Sequence, residues 1–268
     1  GKMAVILGIE TSNLFNCYLE PPEGVEPCTE QDVIDKLDEY HDKGVRAIFP
    51  VHKFDNAFSA GDGHRGIIEL GNFAQTGHES NFTQDCPDVP AVFDQGSIQF
   101  GDLNDPRMDY FAEPRADADK YRENPLNFMV RYGDELTGGG QNGDFCMNHG
   151  LTDLGEFLIQ KLMERGMIIE VDHLPQRSYQ RAFEILEAND YPAAGTHGSN
   201  YDGKIYELGG ISKFNFGNCA DPDDPGARAN SLNERIAMRE AAGVYPAEGF
   251  GFDLNGFAGA PGPRFGEN

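Results

Sequence analysis

The residues of this chain that could carry chemistry stand at the ends of its predicted strands. Five short apolar segments each end at, or run directly into, a histidine or a carboxylate, and these residues are Glu10, His52, His173, His197 and Asp253. Imidazole and carboxylate groups together are suitable ligands for zinc or a similar divalent ion. One such residue alone is more often structural. Five such residues, each at the end of a strand in an alternating series of strands and helices, indicate a metal-dependent site.

Strands and helices alternate around these residues. The pattern predicts strands over 3–10, 45–52, 167–171, 191–196, 208–216 and 249–253, with helices over 29–43, 152–166, 177–189 and 232–242. The first strand is continuously apolar, which is typical of a strand buried on both faces. Strand–helix–strand order with short connections is typical of βαβ units.

In a (β/α) barrel the carboxyl ends of all strands lie on one face, where the active site is formed. Residues far apart in the sequence would then converge there. The sequence therefore predicts an α/β fold of the (β/α)8 TIM-barrel type, as a single domain over residues 1–268.

Residues 53–150 interrupt the alternation. This stretch is rich in Gly, Asp, Asn and Pro and shows little periodicity. A loop region of this length inside a compact domain is uncommon and tends to be functional. We therefore expect an elaborated loop region over a site, and not a separate domain.

The charge balance excludes several classes of partner. The 268 residues contain 21 Lys and Arg against 45 Asp and Glu, which gives a net charge of -24. Binding to nucleic acid or to anionic membranes requires clustered basic residues, so both are disfavoured. No apolar run approaches the roughly 20 residues that a membrane span needs. The acidic excess would suit a cationic ligand, a bound metal or a salty habitat.

The five cysteines include no C-x-x-C pair, which excludes a zinc ribbon. Cys17 and Cys28 bracket a proline-containing loop and could form a local disulfide. Two interpretations stay open, namely secretion with one or two disulfides and buried free thiols. A secreted or extracytoplasmic location is slightly favoured.

Five ordered segments carry recognisable motifs. They are Gly8-Ile9-Glu10, Gly44-Val45-Arg46 through His52 with Asn56, His149 through Gly155 followed by Glu170-Val171-Asp172-His173, Pro192 through Ser199, and Gly249 through Gly256. In this order they resemble the membrane (renal) dipeptidase family of zinc-dependent hydrolases, which are TIM barrels of the amidohydrolase-like superfamily. Residues 53–150 exceed what a compact dipeptidase needs, so the chain looks like a divergent branch.

The resemblance implies a role for each strand-end residue. Glu10 would bridge two metals, and His173 and His197 would ligate the second of them. Asp253 would orient or deprotonate the attacking water, and His52 would polarise the scissile carbonyl. The implied cofactor is one or two zinc ions, although other divalent metals suit the same ligands.

The implied activity is hydrolysis of an amide bond in a small, dipeptide-like substrate by a metal-activated water. The implied substrate contacts are His52, Asn56 and Asn255. Two alternatives stay open. One is hydrolysis of a lactone or another ester at the same site. The other is a catalytically inactive barrel fragment that serves as a binding or structural module.

The chain also departs from the family pattern. The family's first strand carries an H-x-D or H-x-H pair that ligates the first metal, and the start of this sequence contains no such pair. The first strand resembles the family's third, and no closing helix follows the last strand. We therefore expect an incomplete barrel. A fragment of a longer polypeptide is favoured over completion by a second chain, in a complementing pair or a homodimer, and over true loss of these elements.

Overall fold

The structure is a computed structural model that describes residues 3–19, 21, 24–62, 80–84, 86–89, 94–98, 102–103, 141–197, 202–215 and 227–251. The chain divides into two compact units. The first comprises residues 1–167 and 173–185, and the second comprises 168–172 and 186–268.

Two parallel strands of the first unit carry the first two predicted site residues. Strand β1 spans Leu7–Ile9, and β2 spans Val45–Ile48. They pair in parallel, with Ile9 opposite Ile48. Glu10 therefore directly follows β1, and His52 lies four residues beyond the end of β2.

The helix between these strands begins and ends where the sequence indicates. Helix α1 spans Glu30–Asp42, and the side chains of Thr29 and Asp32 form a complete capping box at its start. Gly44 follows the helix with a φ of 96°, a conformation that glycine adopts without steric cost. Local signals of this kind act within a few residues, which is why the sequence predicts them well.

Strand β1 differs from its prediction. Met3, Val5, Ile6 and Leu7 are between 49% and 88% exposed, so the expected burial on both faces is wrong. The strand is also only three residues long. A continuous apolar run indicates that a segment can be buried. Whether it is buried depends on which other elements pack against it.

The region over residues 53–150 contains strands that the sequence did not predict. They are β3 (Asn81–Thr83), β4 (Gln95–Ile98), β5 (Asp102–Leu103) and β6 (Gln141–Met147). Their order in the sheet is β4-β6-β3-β5, and β6 runs antiparallel to β3 and β4. Phe82, Phe145 and Met147 are buried together in this region. A disulfide between Cys86 and Cys146 joins two segments that lie 60 residues apart.

Helix α2 spans Asp153–Glu164 and packs on α1. Thr152 caps it by accepting a hydrogen bond from the backbone N–H of Gly155. A Cβ on Gly155 would lie 2.0 Å from the carbonyl oxygen of Phe58, so only glycine allows this close approach. Thr152 also donates its hydroxyl to the carbonyl of Ala57. The Gly-Leu-Thr-x-x-Gly motif thus fixes the start of this helix against the preceding loop.

Helix α3 spans Gln176–Ala188, and its last three residues belong to the second unit. That unit contains four parallel strands in the order β7-β8-β9-β10. Their bounds are Ile168–Glu170, Ala193–Gly195, Ile211–Asn215 and Gly249–Gly251. Helix α4 (Asp202–Glu207) joins β8 to β9, and α5 (Ala227–Ala241) lies between β9 and β10 in the sequence.

A mixed α/β fold with parallel strands is therefore confirmed. Parallel strands in βα order, as each unit has them, are compatible with part of a TIM-like barrel. The closed eight-stranded barrel stays a prediction. Within the described residues, no helix is both long and apolar enough to cross a membrane.

Candidate metal centre

Three of the five strand-end residues come together in the first unit. Glu10, His52 and His173 each offer one ligand atom, and these atoms all lie within 4.8 Å of one another. The Oε1 atom of Glu10 is 3.2 Å from His173 Nε2 and 3.5 Å from His52 Nε2. Zinc bonds of about 2.0–2.1 Å in tetrahedral geometry place two ligand atoms roughly 3.3 Å apart. The observed separations therefore fit a shared divalent ion.

The loops that follow β1 and β2 are joined by buried polar groups. Ser12 Oγ accepts hydrogen bonds from the backbone N–H groups of Lys53 and Phe54, each at 3.1 Å. The Asn56 side chain donates to the carbonyls of Ser12 and Pro50 at 3.0 and 2.9 Å. These bonds hold the segment after Glu10 against the segment after His52, although the two residues are distant in sequence.

Asn56 was predicted to contact substrate, and the structure shows how its side chain is used. It is 1% exposed, and its Oδ1 atom accepts from the backbone N–H groups of Phe58 and Ser59. All the polar atoms of the amide are thus engaged by backbone groups. In this conformation Asn56 positions the two loops.

Asp62 completes the cluster, and the sequence interpretation missed it. Its Oδ2 atom lies 2.8 Å from His173 Nδ1 and 2.9 Å from Lys53 Nζ. A Cβ on the neighbouring Gly61 would lie 2.4 Å from the Lys53 carbonyl oxygen, so glycine lets the chain turn back towards His52. The glycines flanking Asp62 are the only sequence signal for this turn, and they lie in a glycine-rich stretch.

A carboxylate on the far nitrogen of a histidine is the usual support of a metal ligand. It fixes the tautomer and the orientation of the ring, and it makes the other nitrogen a better ligand. In His173 the Nδ1 atom faces Asp62, and the Nε2 atom faces Glu10. The His173 side chain is only 4% exposed, so its orientation is set by these contacts.

The backbone of His173 is also unusual. Its φ of 66° lies in the left-handed region, which a side chain with a Cβ seldom adopts. Strain of this kind persists where the surrounding structure imposes it, and it is concentrated at functional sites. The residue follows β7 closely, and the turn aims its ring at Glu10.

The two imidazoles have opposite pKa shifts. Burial, together with the nearby His173, lowers the pKa of His52 to about 4, so His52 is neutral at physiological pH. Burial also lowers the pKa of His173, but its hydrogen bonds to Asp62 and Glu10 outweigh this effect and raise the pKa overall. A neutral imidazole is the form that binds a metal. His52 is therefore ready to ligate, whereas the raised pKa of His173 means that a metal competes more strongly with a proton there.

Two acids from the region over 53–150 hold the segment that follows His173. Asp94 accepts hydrogen bonds from the backbone N–H groups of Met147 and Gln176, both at 2.8 Å. Burial raises the pKa of Asp94 to about 6, although these hydrogen bonds oppose the shift. Asp88 forms a two-point ion pair with Arg177 at 2.7 and 2.8 Å. The first turn of α3 is therefore tied to the sheet.

The remaining predicted residues are not part of this cluster as described. His197 belongs to the second unit, where its backbone N–H donates to the Asp172 carboxylate at 2.6 Å. Glu170 accepts from the N–H and the hydroxyl of Thr196 in the same unit. Asp253 and Asn255 lie outside the described residues. Their predicted roles therefore stay predictions.

Comparison with known proteins adds no family to this description. A search of protein-family models, of curated proteins and of solved structures found no match for the chain.

Proposed function

We propose that this protein is a metal-dependent hydrolase, with Glu10, His52 and His173 as ligands of one divalent ion. The observation that carries the proposal is the convergence of these three side chains from separate segments, with atoms within 4.8 Å of one another. Two histidines and one carboxylate form a donor set that suits zinc, and also iron or manganese. Such an ion lowers the pKa of a water molecule that it binds and polarises a carbonyl.

The electrostatics of the cluster support this proposal. Glu10 supplies a carboxylate, and His52 is neutral because burial lowers its pKa to about 4. Asp62 holds His173 through Nδ1 and leaves Nε2 directed at the shared space. Glu10 and His52 are 34% and 31% exposed, so a small substrate can reach the ligands from one side. An open position of this kind distinguishes catalytic metal sites from structural ones.

The proposed reaction is cleavage of an amide bond in a small, dipeptide-like molecule. This part rests on the resemblance to the membrane dipeptidase family. On that basis His197 would be a further metal ligand, and Asp253 would take the proton of the attacking water. The resemblance assigns His52 to the scissile carbonyl, but its distance to Glu10 favours a ligand role in this chain.

The first test is the metal content of the purified chain. After zinc loading and dialysis, elemental mass spectrometry should find about one zinc ion for each chain. Glu10→Ala, His52→Ala and His173→Ala should each lose it, because three protein ligands are the usual minimum of a catalytic zinc site. His41→Ala is the matched control, since His41 lies in the last turn of α1.

Two outcomes would overturn the metal site. One is a wild-type chain that binds no zinc while folded. The other is stoichiometric zinc in all three ligand variants. The amidase assignment is tested separately, with zinc-loaded protein on a panel of dipeptides, lactones and simple esters. Turnover of lactones alone would replace the amide substrate, and no turnover of any substrate would indicate a binding module.

We also infer that the chain matures in an oxidising compartment. Disulfides join Cys17 to Cys28 and Cys86 to Cys146. Structural disulfides are rare in reducing cytosol, so a pair of them supports a secreted or extracytoplasmic location. Alkylation of the protein unfolded in denaturant, before and after reduction, followed by mass spectrometry, should reveal four additional thiols after reduction. Reaction of all five cysteines before reduction would contradict the inference.

A further inference from the structure

A buried lysine in the second unit has no role in the proposed metal site. Lys213 lies in the middle of β9, which pairs in parallel with β8 on one side and with β10 on the other. The residue is only 7% exposed, and its neighbours Ser212 and Phe214 are 0% and 5% exposed. Lysine is almost never this buried unless its charge is paired, because desolvation of an ammonium is costly.

Strand β10 is shaped to accept this side chain. A Cβ on Gly251 would lie 2.6 Å from Lys213 Cδ and 3.4 Å from its Cγ. Lys213 stands opposite Gly249 in the parallel register, and Gly251 is two residues further along β10. The lysine stem therefore runs towards the carboxyl end of the strands. In parallel α/β sheets this is the end at which ligands bind.

The charge on Lys213 is not balanced by an acid among the residues that the structure describes. Among the described residues, no carboxylate forms an ion pair or a hydrogen bond with its ammonium. Glu248 is the acid of this neighbourhood, and Arg235 holds it at 2.6 Å while Arg239 lies 4.0 Å away. Arg235 also donates to the Lys213 carbonyl at 3.0 Å. Glu248 is thus engaged by two arginines, and the Lys213 ammonium is not among its described partners.

We propose that Lys213 is the anchor of an anion-binding site that takes a carboxylate group of a small ligand. A single ammonium on a flexible stem is a point charge that balances one negative charge. Phosphate sites use several donors, such as backbone N–H groups at a helix start, and no such set converges on Lys213 among the described residues. Lys213 and its neighbours all belong to the second unit, so the inference does not depend on the metal ligands.

The test uses acetate as the probe on the intact chain. The melting temperature is measured against acetate concentration, with sodium chloride added to keep the ionic strength constant. A ligand that binds only the folded state raises the melting temperature in a saturable way. Wild type should show such a rise, and Lys213→Met should reduce the apparent acetate affinity at least about tenfold, because the ammonium proposed to pair with acetate is lost.

Lys204→Met is the matched control, since it removes an exposed lysine of the same unit, which lies 3.5 Å from Glu187. It should keep the acetate response. A second measurement needs no variant, namely the rate at which an amine-reactive ester acylates Lys213 relative to Lys204 in wild type. Acetate, but not chloride, should slow acylation of Lys213.

Three outcomes would overturn the carboxylate site. They are an equal acetate response in wild type and Lys213→Met, equal protection of both lysines, and a response to inorganic phosphate without one to acetate. If Lys213→Met does not fold, the acylation rates in wild type decide the question alone.

Discussion

Asp62 offers the sharpest test of the metal centre, because it is not one of the three proposed ligands but holds His173, which is. Its Oδ2 atom lies 2.8 Å from His173 Nδ1, which is a charge-assisted hydrogen bond. Asp62→Asn keeps a side chain of the same size but removes the negative charge. Loss of such a supporting carboxylate typically costs 10- to 100-fold in metal affinity, which corresponds to about 1.4–2.8 kcal/mol.

Substitution of Lys53 removes a positive charge instead of a negative one. Its Nζ atom lies 2.9 Å from Asp62 Oδ2. Its charge opposes a cation in the site and lowers the pKa of both histidines. Lys53→Met should therefore tighten zinc binding, by less than about tenfold because Lys53 is partly solvated. The two substitutions should move the affinity in opposite directions.

The assay is a competition titration with a fluorescent zinc chelator at neutral pH, for wild type and each variant. Asp38→Asn is the control for removing a carboxylate elsewhere in the unit, since Asp38 pairs with Arg165 and is 62% exposed. It should leave the zinc affinity unchanged. An unchanged dissociation constant in Asp62→Asn, or a loss of the same size in Asp38→Asn, would refute the supporting role of Asp62.

Three further predictions concern the framework of the first unit. Gly155→Ala should lower the free energy of unfolding by about 3 kcal/mol or more, measured in urea, because its Cβ would meet the Phe58 carbonyl at 2.0 Å. An unchanged midpoint would contradict this packing. Burial raises the pKa of Asp94 to about 6. The protonated carboxyl therefore stabilises the folded state by about 3 kcal/mol below about pH 4. This stabilisation is lost as the pH rises through 6. Asp94→Asn should remove this slope from the pH dependence of unfolding, and an identical slope would show that Asp94 is not its source. Replacing Cys86 and Cys146 by alanine should lower the free energy of unfolding by about 4 kcal/mol. This loss should exceed that from replacing Cys17 and Cys28, because opening a longer disulfide loop gives the unfolded chain more entropy. Equal losses of unfolding free energy for the two disulfide replacements, measured in urea or by heating, would argue against this explanation.

Predictions from local sequence were correct where short-range contacts determine the structure. The capping box of Thr29 and Asp32 defines the start of α1, and Thr152 defines the start of α2. Each signal acts through hydrogen bonds between residues three positions apart. The disulfide between Cys17 and Cys28 likewise closes a loop of 11 residues. The sequence left that pairing open only because the redox state of a thiol cannot be read from its spacing.

Contacts between residues distant in the sequence were predicted only in part from the positions of the strand ends. Strands with a ligand at the carboxyl end were predicted for Glu10 and His173, and the structure brings these residues within 3.2 Å of each other. Asp62 could not be predicted in this way, because it follows no strand and depends on a turn at Gly61. The exposure of β1 also had no sequence signal, since an apolar run does not specify what covers it.

By itself the sequence determined the parallel strands, the helices α1, α2, α3 and α5, and the caps of α1 and α2. It also determined the types of side chain available as metal ligands. The tertiary structure decided which of those side chains meet. His173 lies 163 residues from Glu10 and 111 from Asp62, so their proximity depends on how strands and loops pack. The burial of Lys213 was decided in the same way, by the glycine at position 251 of a neighbouring strand. Local propensity acts over a few residues, whereas a site is assembled by contacts between segments that are distant in the chain.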